Sequence, residues 1–268
     1  MQLPQIGPQH PRVKQLRAVL RNGSPHYRLL VAEGLWAHQL LLKLAAPVEV
    51  FLWCPEAAVT SEARRCGRRL AERAAHAYQI STRVLARLAE RDQPDGLVSL
   101  VRLPTWDPAA VPMRRRALVL VADAIELPGN LGTLLRTLDA CGGDCLLLTN
   151  RRTRLSHPLV FRGSRGMNLR VPVVEFGEPA EAVDWLRERG FTSYLATTGP
   201  DALPYSSVDY PARTALVVGN ERYGISPPWR EYGFTEVTVP MLGATDSLNV
   251  SVCASILLYE VRARSAGW

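Results

Sequence analysis

Residues 117–150 read ALVLVADAIELPGNLGTLLRTLDACGGDCLLLTN. Their first seven residues, ALVLVAD, form an apolar run without the alternation of a strand that has one wet face. Such a run suits a strand covered on both sides, as in a parallel sheet flanked by helices. A helix is expected over Asn130–Ala140, and DCLLLTN repeats the buried-strand pattern behind it. The same alternation continues downstream through VPVVEF, a helix near Ala180–Arg189, FTSYLAT, TALVVGN, EVTVP and a last helix from Leu248. The fold class is therefore α/β with a mostly parallel, doubly wound sheet. Sheets of this kind hold ligands in the crevice beyond the carboxyl ends of their strands, so residues just after each strand are the first candidates for chemistry.

Upstream, Leu103–Arg116 (LPTWDPAAVPMRRR) has three prolines and no apolar period, which suits a connector. It divides the chain into residues 1–103, a linker 104–116 and a second region 117–268. In the first region GLWAHQLLLKLA, TSEARRCGRRLAERAA and STRVLARLAER read as helices, and VEVFLWC and GLVSLVRL as strands, giving a small α/β domain.

The 268 residues are 47% hydrophobic and carry a net charge of +7, which describes a well-cored protein with a polyanion as candidate partner. No apolar run is long enough to span a bilayer, and MQLPQIGPQHPRVKQLR lacks a signal-peptide core, so a cytoplasmic location and no membrane partner are expected. Five scattered cysteines give neither a disulfide framework nor a zinc spacing, and no metal is expected. Arginines gather at 12–28, 64–73 and 151–154. Arg65, Arg68 and Arg69 read equally as a solvated helix face or as phosphate contacts.

Three segments carry chemistry. In Leu127–Thr137 (LPGNLGTLLRT), Gly129 and Gly132 allow a tight turn, Asn130 can cap the helix it starts, and Arg136 lies within that helix. The segment is not GxGxxG, and no acidic residue stands where a ribose partner would, so a nicotinamide site is disfavoured. Leu216–Ser226 (LVVGNERYGIS) packs Gly219, Asn220, Glu221 and Gly224 at a strand end, where glycine admits close approach and Glu221 sets a charge at the rim. Val239–Leu258 (VPMLGATDSLNVSVCASILL) passes through a loop into an apolar helix. Ser247 is expected to cap it, and polar Ser247, Asn249 and Ser251 at a buried helix start need a ligand or partner chain unless they are paired.

Together and in this order, the segments resemble the SpoU (TrmH) family of RNA ribose 2′-O-methyltransferases within the SPOUT superfamily. The resemblance rests on Asn130, Gly132 and Arg136; on Gly219, Asn220, Glu221 and Gly224; and on Pro240, Met241, Ser247, Leu248, Asn249 and Val250. It extends to FRGSRGMNLRVPV, and to YRLLVAEG and QPDGLVSLVRLP, which look like the two ends of the family's ribosomal-protein-like (L30e-like) substrate-binding domain.

The resemblance implies a catalytic domain with a trefoil knot and a site completed across a homodimer. It implies S-adenosylmethionine held by Thr197, Thr198, Gly199, Gly219, Asn220, Glu221, Val239, Met241, Ser247, Leu248 and Asn249. Arg136, Asn130, Glu221, Ser247 and Asn249 become the catalytic candidates, and Arg65, Arg68, Arg69 and Arg165 the RNA contacts. An arginine is a poor base, so Arg136 is expected to hold a phosphate and the developing alkoxide. Structured RNA is the implied substrate, with rRNA favoured over tRNA. A catalytically silent RNA-binding protein on the same fold is the alternative, and it would need none of these site residues.

Overall fold

The computed structural model describes residues 3–23, 28–89 and 93–266. The chain forms two compact units, Met1–Pro104 with Leu155–Phe161, and Thr105–Arg154 with Arg162–Trp268.

The first unit runs α1 (Pro11–Asn22), β1 (Leu29–Glu33), α2 (Leu35–Lys43), β2 (Val48–Trp53), α3 (Ser61–Arg73), β3 (His76–Gln79), α4 (Thr82–Leu85) and β4 (Leu97–Arg102). Its sheet has the order β1-β4-β2-β3, with β4 antiparallel to both neighbours and β3 parallel to β2. Val50, Leu52, Val98 and Leu100 turn into a core closed by Val13 and Leu16 of α1. The helix expected over 81–91 shrinks to four residues. Beyond Leu85 the amides of Arg87 and Leu88 bond three residues back, to Val84 and Leu85, which tightens the chain out of the α-ladder. Glu90 and Arg91 lie outside the described residues.

The second unit runs β5 (Ala117–Asp123), α5 (Pro128–Ala140), β6 (Cys145–Thr149), α6 (Pro158–Gly163), β7 (Val173–Glu175), α7 (Pro179–Glu188), β8 (Thr192–Ala196), β9 (Leu203–Pro204), β10 (Arg213–Val218), β11 (Thr235–Thr238) and α8 (Val250–Ala266), with α6 straddling the division. Every pairing in the seven-stranded sheet is parallel, in the order β7-β6-β5-β10-β8-β11-β9. All seven residues of β5 are buried, as the unbroken apolar run requires. Val119 and Val121 join Val183 and Leu186 of α7 in one core cluster, to which no residue of α5 or α8 belongs. The alternate residues of β5 serve the opposite face, where α8 packs on β5, β10 and α5.

Residues 104–116 contain no helix or strand, yet they are docked rather than free. Val111 is buried in the same cluster, and the Pro108 carbonyl accepts from Trp185 Nε1 at 2.9 Å and from Arg189 Nη2 at 3.1 Å. Arg114 Nε donates to the buried carboxylate of Asp144 at 2.7 Å.

Two helix starts move. α5 begins at Pro128 rather than Asn130, because proline at the first helical position has its φ preset and loses no hydrogen bond. Gly129 and Gly132 are accordingly helical residues and make no tight turn. α8 begins at Val250 rather than Leu248. Its cap is Asn249, whose Oδ1 accepts from Ser251 N at 2.9 Å, while Ser247 Oγ donates to Asp246 in an exposed loop.

Candidate active site

An open cavity of about 710 Å³ lies beyond the carboxyl ends of β8, β10 and β11 and against the start of α5. All eleven residues expected to hold the cofactor line it: Thr197, Thr198, Gly199, Gly219, Asn220, Glu221, Val239, Met241, Ser247, Leu248 and Asn249. Asn130 lines it as well.

A continuous hydrogen-bond ladder joins the three sequence segments at the wall of this cavity. Asn130 Nδ2 donates to Glu221 Oε1 at 2.8 Å, and Asn249 Nδ2 donates to Asn130 Oδ1 at 3.1 Å. Ser251 Oγ, fully inside, donates to Asn249 Oδ1 at 2.6 Å and approaches Asn130 Oδ1 at 3.3 Å. Asn249 and Ser251 are thus paired within the chain, the condition under which they need no ligand or partner chain. Asn130 is no cap. It is the middle rung.

Glu221 also accepts the backbone amides of Glu126 at 3.2 Å and Leu127 at 3.3 Å. It thus occupies the amino-terminal approach of α5, where unpaired amides and the helix dipole favour an anion. Partial burial pushes its carboxyl up, but the bonds from Asn130 and from backbone amides outweigh this and hold it below the ordinary glutamate value.

Two glycines make the Asn220–Gly224 turn possible. A Cβ on Gly219 would lie 2.2 Å from backbone atoms of Gly224 and Ile225, and Gly224 itself sits at φ +69°. Asn220 and Gly224 exchange two backbone bonds of 2.9 Å, and Asn220 Nδ2 ties the turn to the Ala124 carbonyl.

The other expected site residues lie apart. Arg136 is exposed on α5 in line with Thr133 and Ala140, lines no part of the cavity, and its guanidinium has no partner among the described residues. Arg165 is exposed on a left-handed turn after α6. Arg65, Arg68 and Arg69 are exposed on α3, again without a side-chain partner among the described residues. Their neighbours differ, since Arg64 donates to the Ala58 carbonyl and Arg73 to that of Leu42.

Residues 117–259 match the SpoU rRNA methylase family. The chain belongs to that family. Among SpoU relatives, the 23S rRNA (uridine(2479)-2′-O)-methyltransferase of Streptomyces viridochromogenes is 29% identical over 96% of this chain and 91% of its own length. The 23S rRNA (guanosine(2553)-2′-O)-methyltransferase RlmP of Bacillus subtilis is 32% identical over 69% of this chain and 72% of its own. The crystal structure of the SpoU methyltransferase AviRb from Streptomyces viridochromogenes, in complex with AdoMet, superimposes with a TM-score of 0.82 at 26% identity, covering 96% of this chain and 99% of that one.

Sequence reasoning missed further groups in this SpoU site. Arg222, Tyr223, Ile225, Arg230, Asp246 and Cys253 also line the cavity. The buried carboxylate of Asp123, at the end of β5, accepts from Thr149 Oγ1, Asn150 Nδ2 and Ser226 N, each at 2.8 Å, and so fixes the far end of the loop carrying Glu221. The acid that closes an otherwise apolar run was its signal. Glu236 Oε2 accepts from Thr197 Oγ1 at 2.6 Å and holds the loop after β8. No group of side chains suited to a metal occurs among the described residues, and none of the described helices is long and apolar enough to cross a membrane.

Proposed function

We propose that this SpoU chain transfers a methyl group from S-adenosylmethionine to a ribose 2′-hydroxyl of rRNA. The observation that carries the reading is the ladder Glu221–Asn130–Asn249–Ser251, which locks three distant segments into one cavity wall.

The lining fits the cofactor. Val218, Ile225, Val239, Met241 and Leu248 supply apolar surface for a purine, and the loop backbones at 197–199, 219–221 and 247–249 supply polar edges. Because Asn130, Asn220, Asn249 and Glu221 are already bonded within the chain, their work is to hold those loops in place. Bound there, S-adenosylmethionine supplies an electrophilic methyl on a sulfonium. The chain then has to align a ribose oxygen with it and help that oxygen lose its proton.

Arg136 is the group for the oxygen, reached across a homodimer. Its exposed position outside its own cavity suits a role in the cavity of a second copy, and Val252 and Tyr259, both exposed on α8, give the neighbouring face apolar surface for that copy. A guanidinium can hold an RNA phosphate and the developing alkoxide together. The first unit serves as the RNA-binding, ribosomal-protein-like domain, with Arg65, Arg68 and Arg69 as phosphate contacts, and Arg165 contributes a further one. The trefoil knot belongs to the same reading, supported by the insertion of β10 between β5 and β8 and the return of α8 onto α5. An rRNA substrate also implies a cytoplasmic location.

The test is transfer of labelled methyl to rRNA in single turnover, with digestion to nucleosides to locate the label on the ribose. Arg136→Ala should remove transfer while calorimetric binding of S-adenosylmethionine, measured with chelator present, persists. Arg136→Lys should be severely impaired, since lysine keeps the charge but loses the planar fork. Near-normal transfer by Arg136→Ala would falsify its role, and a wild-type chain that binds no S-adenosylmethionine sinks the whole reading.

A further inference from the structure

Folding does not account for two side chains at the cavity. Tyr223 is 80% exposed, so folding buries little of its ring. Arg222 beside it is exposed, and its guanidinium has no partner among the described residues. Both line the cavity next to Glu221.

The backbone beneath them is stiff. Asn220 Oδ1 accepts the amides of Arg222 at 2.8 Å and Tyr223 at 3.1 Å, inside the turn closed by the paired bonds between Asn220 and Gly224. The two side chains therefore project from a preorganised frame, and little backbone freedom is lost when something binds them. An exposed aromatic beside an unpaired guanidinium is the combination that takes single-stranded RNA, the ring stacking on a base and the cation meeting a phosphate.

We infer that the Arg222–Tyr223 turn is a specificity-determining RNA contact, Tyr223 stacking on an unpaired base at the methylation site and Arg222 holding an adjacent phosphate. The inference deepens the proposed function and rests on its RNA substrate. Tyr223 reads the presence of an unstacked base more than its identity, because every base offers a π-face. A target nucleotide within a continuous helix would leave the ring without a partner. The turn thus selects loops, bulges or bases drawn out of the stack.

The experiment uses the full chain with an rRNA transcript carrying 4-thiouridine, cross-linked by near-ultraviolet light and mapped by peptide mass spectrometry, in parallel with methyl transfer. Cross-links are expected on the peptide holding Tyr223. Tyr223→Ala should lower kcat/KM for the RNA about 10- to 100-fold, with Tyr223→Phe close to wild type. Arg222→Gln should reduce the salt dependence of RNA binding by about one counterion. S-adenosylmethionine affinity, melting temperature and oligomeric state should not change in any of the three.

Unaltered transfer by Tyr223→Ala overturns the inference. So does a loss that comes with weaker cofactor binding, which would make Tyr223 part of the cofactor wall, or with dissociation of an oligomer, which would make it a subunit contact. A wild type that transfers no methyl but cross-links at Tyr223 refutes the proposed reaction and leaves the contact standing, whereas no transfer and no such cross-link overturns both.

Discussion

Replacing Glu221 by glutamine tests whether the ladder positions the site, because the change keeps shape and removes charge. The carboxylate accepts three bonds: Asn130 Nδ2 and Leu127 N on Oε1, and Glu126 N on Oε2. Glutamine has a single oxygen. If that oxygen keeps the Asn130 and Leu127 bonds, its amide faces the Glu126 N–H, donor against donor. Two charge-assisted bonds become neutral ones and the third is lost, while the anion disappears from the start of α5. Each loss is worth about 1 kcal/mol. Water reaches the half-exposed carboxylate and lowers the total to about 1–2 kcal/mol of order in the wall, so cofactor affinity, which depends on the fraction of chains with the wall ordered, should fall by at most roughly 5- to 30-fold. The Glu221 carboxyl titrates below the ordinary glutamate range, so the wild-type ladder is intact above that range and fails only as pH falls through its lowered value. The deficit of Glu221→Gln should hence be constant across neutral pH. Calorimetry with S-adenosylmethionine at two neutral pH values, together with a melting curve, measures it. A variant that binds the cofactor and transfers methyl like wild type would refute the view that this ladder sets the geometry of the wall.

Combined replacement of Arg65, Arg68 and Arg69 by glutamine should weaken RNA binding and flatten its salt dependence with S-adenosylmethionine affinity unchanged; unaltered RNA affinity returns these residues to a solvated face. His38, fully buried with Nδ1 on the Gly34 carbonyl and Nε2 bonded to Ser99 Oγ, is pushed by burial from 6.5 down to about 4. The unfolded chain binds this proton first, so the first unit should lose up to about 3 kcal/mol of stability as pH falls from about 6.5 to about 4. Denaturant titrations at both ends of that window should show this loss in wild type and not in His38→Gln, and a wild-type stability independent of pH there would count against a neutral buried imidazole.

The parts of the fold legible in the sequence are those where one residue pattern has one physical solution. β5, β6 and β10 announce themselves because a strand buried on both faces must be apolar throughout. β3 could not be read this way: HAYQ is an edge strand with an exposed first residue and three half-buried ones, and its chemistry matches a loop as well as a strand. The short α4 was misjudged for the same reason, since an apolar spacing of three or four fits a helix and a pair of tight turns alike.

The candidate site was legible in its members and illegible in its wiring. Asn130, Glu221 and Asn249 stood out as polar residues at strand or helix ends, but Asn130 had a sufficient local explanation as a cap, Glu221 read as a charge at the rim, and Asn249 had no partner that the local pattern could name. What separates cap from rung is the partner, and those partners lie 91 and 119 positions away in the chain. Local pattern carries no information about such pairs; the parallel sheet alone brings them together, by placing the ends of β5, β10 and β11 along one edge. Asn130 shows the cost of the shorter view. A cap can be exchanged for serine or aspartate with little loss. A rung that donates to a carboxylate and accepts from an amide cannot, because aspartate would set two carboxylates face to face and serine would not span the gap. Asn130→Asp should therefore weaken calorimetric binding of S-adenosylmethionine more than Asn130→Ser does, whereas a capping role would make the two variants nearly alike.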